Sequence, residues 1–88
     1  MAEYNKTANL SASALVKTGA GNVKGVVINS QSSGTLKLWD NTSAATTVLF
    51  NTITFAATDR YIDLFGAAFN TGLYATIGGT ADITVVYE

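Results

Sequence analysis

Apolar and polar residues alternate most clearly between residues 33 and 55, SGTLKLWDNTSAATTVLFNTITF. Within this segment, residues 36–39, Leu-Lys-Leu-Trp, predict a half-buried β-strand whose two leucines face inward. A polar turn over residues 40–43 leads into a second β-rich run, residues 46–57. We therefore predict a hairpin or arch with a long loop, around which the rest of the chain is organised.

Further runs of the same kind predict the other strands. Residues 12–18 fit a strand or, on propensity alone, a helix over residues 11–17. Gly25 interrupts the β-branched run of residues 23–29 and predicts a bulge or a close backbone approach. The remaining predicted strands are residues 61–64, 73–77 and 81–88, with loops at residues 30–33 and 65–72.

The last two predicted strands form the clearest pair, because Gly78-Gly79-Thr80 between them is typical of a tight hairpin turn. Seven or eight short strands separated by turn residues indicate an all-β fold. We predict a small antiparallel β-sandwich or jelly-roll-like barrel of about seven to eight strands. Residues 11–88 form its single domain, and residues 1–10 are an N-terminal arm or first strand.

Charge is scarce in this chain. Five Lys and Arg stand against six Asp and Glu, and 12% of the residues are charged, against about 25% in soluble domains generally. The few, scattered basic residues argue against nucleic-acid binding, which depends on neutralising phosphates. A surface so poor in charge leaves apolar area exposed, and such patches commonly mark contacts with other proteins.

The size of the chain also favours assembly. A domain of 88 residues has a thin core, and the sequence has no cysteine and no histidine for disulfides or common metal sites. It has no proline to guard its strand edges either. No apolar run is long enough to span a membrane, and the N-terminus lacks a signal-peptide pattern, so we expect a soluble protein made in the cytosol.

No catalytic site can be assembled from the sequence. Ser11, Ser13 and Lys17 are sequence neighbours only, and the glycines do not have the spacing of a phosphate loop. Asp40 and Asn41 could contribute to a calcium site, but solvated turn residues explain them better. A carboxylate pair for glycoside hydrolysis would need two acidic residues in one cleft. We expect no enzyme activity, no cofactor and no metal.

Trp39 is the only tryptophan. Next to Lys37 it could be a rim residue packed by the lysine stem or an anchor between subunits. An ordinary core aromatic whose N–H donates to a backbone carbonyl is an equally good reading.

Three runs, SGTLKLWDN, VLFNTITF and GLYATIGGTADITVVYE, carry a family resemblance. Through them the sequence resembles, from about Leu15 to Tyr87, small virion proteins encoded by tailed bacteriophages and prophages. These runs are strand and turn patterns and contain no catalytic motif.

The resemblance implies a capsid decoration, or cement, protein. Such proteins are compact β-sandwiches, commonly homotrimers, that bind the outer shell where major capsid protein subunits meet and clamp them against internal pressure. The protein would be made in the host cytoplasm and would reside on the virion, with the arm of residues 1–10 reaching a neighbour. The residues we expect at such contacts are Tyr4, Leu10, Trp39, Phe65 and Phe69.

The alternative is a phage head-fibre or tail-associated module that binds a carbohydrate or a receptor. Such a module would use aromatic side chains to stack on sugar rings. It predicts that Trp39, Tyr61 and Tyr74 cluster on one exposed face.

Overall fold

A computed structural model describes residues 6–58 and 60–88 and shows an all-β chain. Six strands form one antiparallel sheet that is not closed. Alternating apolar residues form these strands as predicted. The number of strands is smaller than the seven or eight expected. The strands are β1 (Lys6–Leu10), β2 (Ala14–Thr18), β3 (Gly21–Trp39), β4 (Val48–Thr54), β5 (Tyr61–Phe69) and β6 (Gly72–Tyr87).

Two long strands, β3 with 19 residues and β6 with 16, form the centre of the sheet. They pair with each other from Val23 opposite Tyr87 to Trp39 opposite Tyr74. Each is flanked by different short strands in its two halves: β1 and β2 pair with β6, and β4 and β5 pair with β3.

The flanking strands divide the sheet into two four-stranded halves. The Asp82 half consists of β1, β5, residues 21–30 of β3 and residues 80–87 of β6. The Trp39 half consists of β2, β4, residues 35–39 of β3 and residues 72–78 of β6. Both long strands therefore contribute to both halves.

The long strands bend where the halves meet. Ser33 and Gly79 both have positive φ angles, 54° and 68°, and the register shifts between Ser32 and Thr35. A Cβ added at Gly79 would collide with the carbonyl oxygen of Ser33. Only glycine allows both this φ angle and this close approach, so Gly79 holds the bend.

One hydrophobic core is lined from both halves. Leu36 and Leu38 are fully buried, which confirms their predicted inward direction. On β6, alternate residues on either side of the bend are also buried, namely Leu73, Ala75, Ala81, Ile83 and Val85. Among the described residues, the buried apolar ones are Val23, Val26, Ile28, Leu36, Leu38, Phe55, Leu64, Phe69, Leu73, Ala75, Ala81, Ile83 and Val85. The remaining positions of the central strands form the outer faces of the two halves.

Several predicted turns lie inside strands. The prediction of a Gly78-Gly79-Thr80 hairpin turn is wrong, because these residues bend the continuous strand β6. The loops predicted at residues 30–33 and 65–72 are wrong as well. The first lies within β3, and most of the second completes β5 before a turn at Asn70 and Thr71. Joining these segments reduces the number of strands to six.

The hairpin or arch with a long loop is confirmed: residues 35–39 of β3 pair with β4, and residues 40–47 connect them. The bulge predicted at Gly25 is also present, as a register shift between Val23 and Gly25. Residues 14–18 form a strand, so the helix alternative is wrong. Residues 6–10 form the first strand.

The edge strands are short or interrupted by bulges. β1 and β2 have five residues each, and register shifts interrupt β2, β4 and β5. Short and bulged edges discourage pairing with another sheet. Short and bulged edges thus compensate for the missing prolines.

Candidate functional site

The outer face of the Trp39 half carries a row of large apolar residues across all four of its strands. Leu15 of β2 lies opposite Tyr74 of β6, Tyr74 lies opposite Trp39 of β3, and Trp39 lies opposite Val48 of β4. Opposed residues of antiparallel strands project from the same face, with their Cβ atoms about 5 Å apart. Leu15 and Val48 are each 42% exposed. We call this surface the Trp39 face.

Two neighbouring side chains hold the indole of Trp39 in place. Its Nε1–H donates to the hydroxyl of Thr76 at 3.0 Å, and the ammonium of Lys37 lies 4.5 Å from the ring centroid. A cation over a partly exposed indole stabilises this arrangement by about 0.5–1 kcal/mol. Trp39 is half-buried. Its position therefore agrees with the prediction of a rim residue packed by Lys37 and not with that of a core aromatic.

Asp40 fixes the end of this face. Its Oδ1 accepts the backbone N–H of Thr71 at 2.9 Å and of Asn70 at 3.0 Å, with that of Gly72 at 3.5 Å. These bonds, chiefly that from Thr71, lower the pKa of Asp40 below its ordinary value of 3.8 against the opposing effect of desolvation. The carboxylate therefore ties the end of β3 to the turn between β5 and β6.

The calcium reading of Asp40 and Asn41 gains no support. The Asp40 carboxylate is occupied by the turn, and the Asn41 amide donates to Ala45 within its own loop. Among the described residues, no group of three acidic side chains could hold a metal ion, and no pocket is present. The same residues include no helix suited to crossing a membrane.

The outer face of the Asp82 half is polar at its centre. The Asp82 carboxylate accepts hydrogen bonds from the amides of Asn9 at 2.7 Å and Asn29 at 3.0 Å. These two bonds, Asn9 first, lower the pKa of Asp82. Asn29 also donates to the hydroxyl of Thr84. We call this surface the Asp82 face.

Phe65 projects from the edge of the molecule. It is 81% exposed and has a φ angle of 63°, followed by Gly66 at 66°. The register shift there leaves residues 64–66 opposite a single residue of β3, and the Phe65 N–H donates to the Asp63 carboxylate at 2.8 Å. An aromatic residue with positive φ costs roughly 1–3 kcal/mol, and such strain is concentrated at functional sites.

Comparison with protein families, curated proteins and solved structures found no match for this chain. The case for a function therefore rests on the residues and the geometry.

The predicted contact residues do not lie together. Tyr4 is outside the described residues. Leu10 is half-buried against the core, and Phe69 lies within the core at 1% exposure, so in this fold its side chain offers no surface to a partner. Trp39 and Phe65 are both accessible, but they belong to different halves of the sheet.

The aromatic residues of the alternative reading are also divided. Trp39 and Tyr74 are neighbours on the Trp39 face, whereas Tyr61 is paired with Val27 in the Asp82 half and packs over Gly25. The sequence interpretation missed Leu15 and Val48. Their only signal was an apolar residue on the solvent side of a short strand.

Proposed function

We propose that this chain is a non-enzymatic structural protein of a bacteriophage virion, most specifically a capsid decoration protein. In this role it binds the major capsid protein on the outer shell as a homotrimer and stabilises contacts between shell subunits. It is made in the host cytoplasm. The observation that supports this proposal best is the apolar row of the Trp39 face, whose end residues Leu15 and Val48 are exposed.

A contact function explains features that folding alone does not require. The core needs inward residues such as Leu36 and Leu38, but stability does not require Leu15 and Val48 to be apolar on the outside. A row of apolar side chains on a charge-poor surface gains free energy when another protein covers it, at about 25 cal/mol per Å² of apolar area. Tryptophan is also enriched at the energetic centres of interfaces.

The proposal includes a two-layer arrangement of the sheet. A single-layered sheet leaves both faces in contact with water, yet Val26 in one half and Leu38 in the other are completely buried. We infer that the two halves pack face to face as a small β-sandwich, as in other two-sheet domains. The outer faces would then point to different neighbours on a shell.

The test is co-sedimentation of the purified protein with emptied capsids of the phage whose genome carries its gene. We expect saturable binding and a higher disruption temperature of the capsids. Trp39→Ala should weaken binding at least tenfold, whereas Thr58→Ala, an exposed change in the turn before β5, should have no effect. Absence of binding by the wild-type protein would refute the decoration role.

A binding module of a head fibre or tail is the second candidate, because Trp39 and Tyr74 are adjacent in register on one exposed face. The ammonium of Lys37 over the indole opposes it, since a sugar ring stacking there would have to displace the lysine. Glycan-array binding that is lost in Trp39→Ala, together with no capsid binding, would favour this candidate.

A further inference from the structure

We propose that copies of this chain associate head to tail, with the Asp82 face of one copy covering the Trp39 face of the next. The inference names the contact between subunits. It rests on the proposed function only for the closure of that contact into a trimer.

The two faces carry opposite charges. On the Trp39 face, Lys37 is the charged residue among the outward positions of β3 and β6, and its ammonium lies above Trp39. The Asp40 carboxylate at the end of this face accepts the N–H groups of Asn70 and Thr71. On the Asp82 face, Asp82 and Asp63 both project outward, from β6 and β5. The ion pair found among residues 6–58 and 60–88, Lys24 with Glu88 at 3.8 Å, uses neither of these acids. Each face therefore presents a charge that the other could neutralise.

Apolar groups accompany the charges on both sides. Phe65 is 81% and Tyr61 50% exposed, and both flank Asp63 on β5. On the other face, an apolar row against which these two aromatic side chains can pack is formed by Leu15, Tyr74, Trp39 and Val48. The residues at its two ends, Leu15 and Val48, are exposed. A rigid aromatic side chain is a good anchor because it buries a large area at low entropic cost.

Charge also decides between the two kinds of symmetry. A two-fold contact pairs a face with itself, which places two Lys37 ammonium groups, or two sets of aspartates, in one interface. A head-to-tail contact pairs unlike faces and avoids this repulsion. Every closed ring of three subunits requires this second kind of contact, so the inference and the proposed trimer are compatible.

The area of the faces sets the expected affinity. Four strands about 4.8 Å apart with about five residues each cover roughly 300 Å², whereas a stable interface takes about 800 Å² per partner. The contact should therefore be weak, with a Kd on the order of 10–100 µM. Because part of the attraction is between exposed charges, the affinity should fall as the salt concentration rises.

The experiment uses two variants, each with one altered face. Lys37→Glu places an acid on the Trp39 face, and Phe65→Lys replaces the exposed anchor beside Asp63 with a cation. Both side chains are accessible and outside the core. The matched controls, Lys6→Glu and Ala57→Lys, make the same charge changes at exposed positions in β1 and in the turn before β5. Circular dichroism and thermal unfolding establish that each variant is folded.

The masses are measured by sedimentation equilibrium at about 500 µM, several times the expected Kd. The wild-type protein and both controls should associate. Lys37→Glu alone and Phe65→Lys alone should each show an apparent Kd at least tenfold weaker. An equimolar mixture of the two should associate again, since each variant supplies the intact face that the other lacks.

Three results would overturn the head-to-tail contact. They are a wild-type protein that stays monomeric, either variant associating normally by itself, and a mixture that fails to recover. Capsid co-sedimentation of the same samples separates this inference from the proposed function. Wild-type protein that binds capsids but never self-associates would refute the contact and leave the decoration role standing. Wild-type protein that self-associates but does not bind capsids would refute the decoration role and leave the contact standing.

Discussion

The two halves of the sheet share the long strands β3 and β6 but have different outer faces. In both halves, alternate residues of β3 and β6 enter one shared core. On the outside, the Trp39 half carries a row of apolar side chains across its four strands. The Asp82 half carries an amide–carboxylate network on β1, β3 and β6, with the exposed apolar side chains of Val27 and Tyr61 beside it.

This difference separates the requirements of folding from those of function. The inner residues are similar in the two halves because both must fill the core. The outer residues are not constrained in this way: in the Asp82 half they include the polar Asn9 and Asp82 as well as the exposed apolar Val27 and Tyr61. The apolar outer row of the Trp39 half is the surface on which the proposed contact with another molecule depends.

Breaking the bend should have the largest effect, because it joins the two halves. Gly79→Ala places a methyl group against the carbonyl of Ser33 at a positive φ angle, and we expect a loss of about 3 kcal/mol or more in the free energy of unfolding. Urea unfolding followed by circular dichroism measures this loss. The control is Gly66→Ala, which has a similar φ of 66° and no close neighbour. It should cost only about 1–2 kcal/mol, and equal losses would contradict a specific role for the bend.

Removing the carboxylate at the end of the Trp39 half should have an intermediate effect. Asp40→Ala leaves the N–H groups of Asn70 and Thr71 without their acceptor, which should cost about 1–2 kcal/mol of unfolding free energy. Asp40→Asn retains an acceptor oxygen and should lose less. The same urea titration measures both variants, and an unchanged Asp40→Ala would show that water replaces the carboxylate fully.

Acid should lower the free energy of unfolding through carboxylates in both halves, by less than the loss expected for Asp40→Ala. The pKa values of Asp40 and Asp82 are lowered in the folded chain, so their contributions are fully present above the unfolded pKa, near 3.8, and are lost as pH falls through the lower folded values. Thermal unfolding from pH 6 down to pH 2 measures this loss. In Asp40→Asn and Asp82→Asn the dependence on pH should be shallower, and an unchanged profile would mean that neither carboxylate contributes.

A change on the Trp39 face should have the smallest effect on stability. Val48→Thr keeps the β-branched shape and places a hydroxyl on a side chain that is 42% exposed, so the free energy of unfolding should change by less than about 0.5 kcal/mol. Self-association or capsid binding should nevertheless weaken, because the apolar row is interrupted. A large loss of stability would mean that Val48 serves the fold and not a contact.

The sequence was sufficient to predict those structural features that depend on neighbouring residues alone. The alternation of Leu36 and Leu38 with their neighbours predicted their burial, and Gly25 predicted its bulge. Gly78 and Gly79 were misread as a turn because glycine pairs mark both hairpins and bends. Only the pairing of β6 with the distant strand β3 decides between them.

The candidate site was less predictable, since it depends on register between distant strands. Trp39 was identified by residue type, but no local pattern places Leu15 and Val48 in its row. Phe65 and Phe69 show the same limit: they lie four positions apart on one strand, yet the bulge at Phe65 and Gly66 exposes the first while the second enters the core.

The most direct test of a functional Trp39 face uses the fluorescence of the protein itself. Trp39 is the only tryptophan, so emission excited at long wavelength reports on this face alone. We predict that the emission maximum moves to shorter wavelength as protein concentration rises, in step with an increase of the solution mass above 9.2 kDa. An increase in mass with unchanged emission would show that assembly leaves Trp39 exposed and would contradict the account.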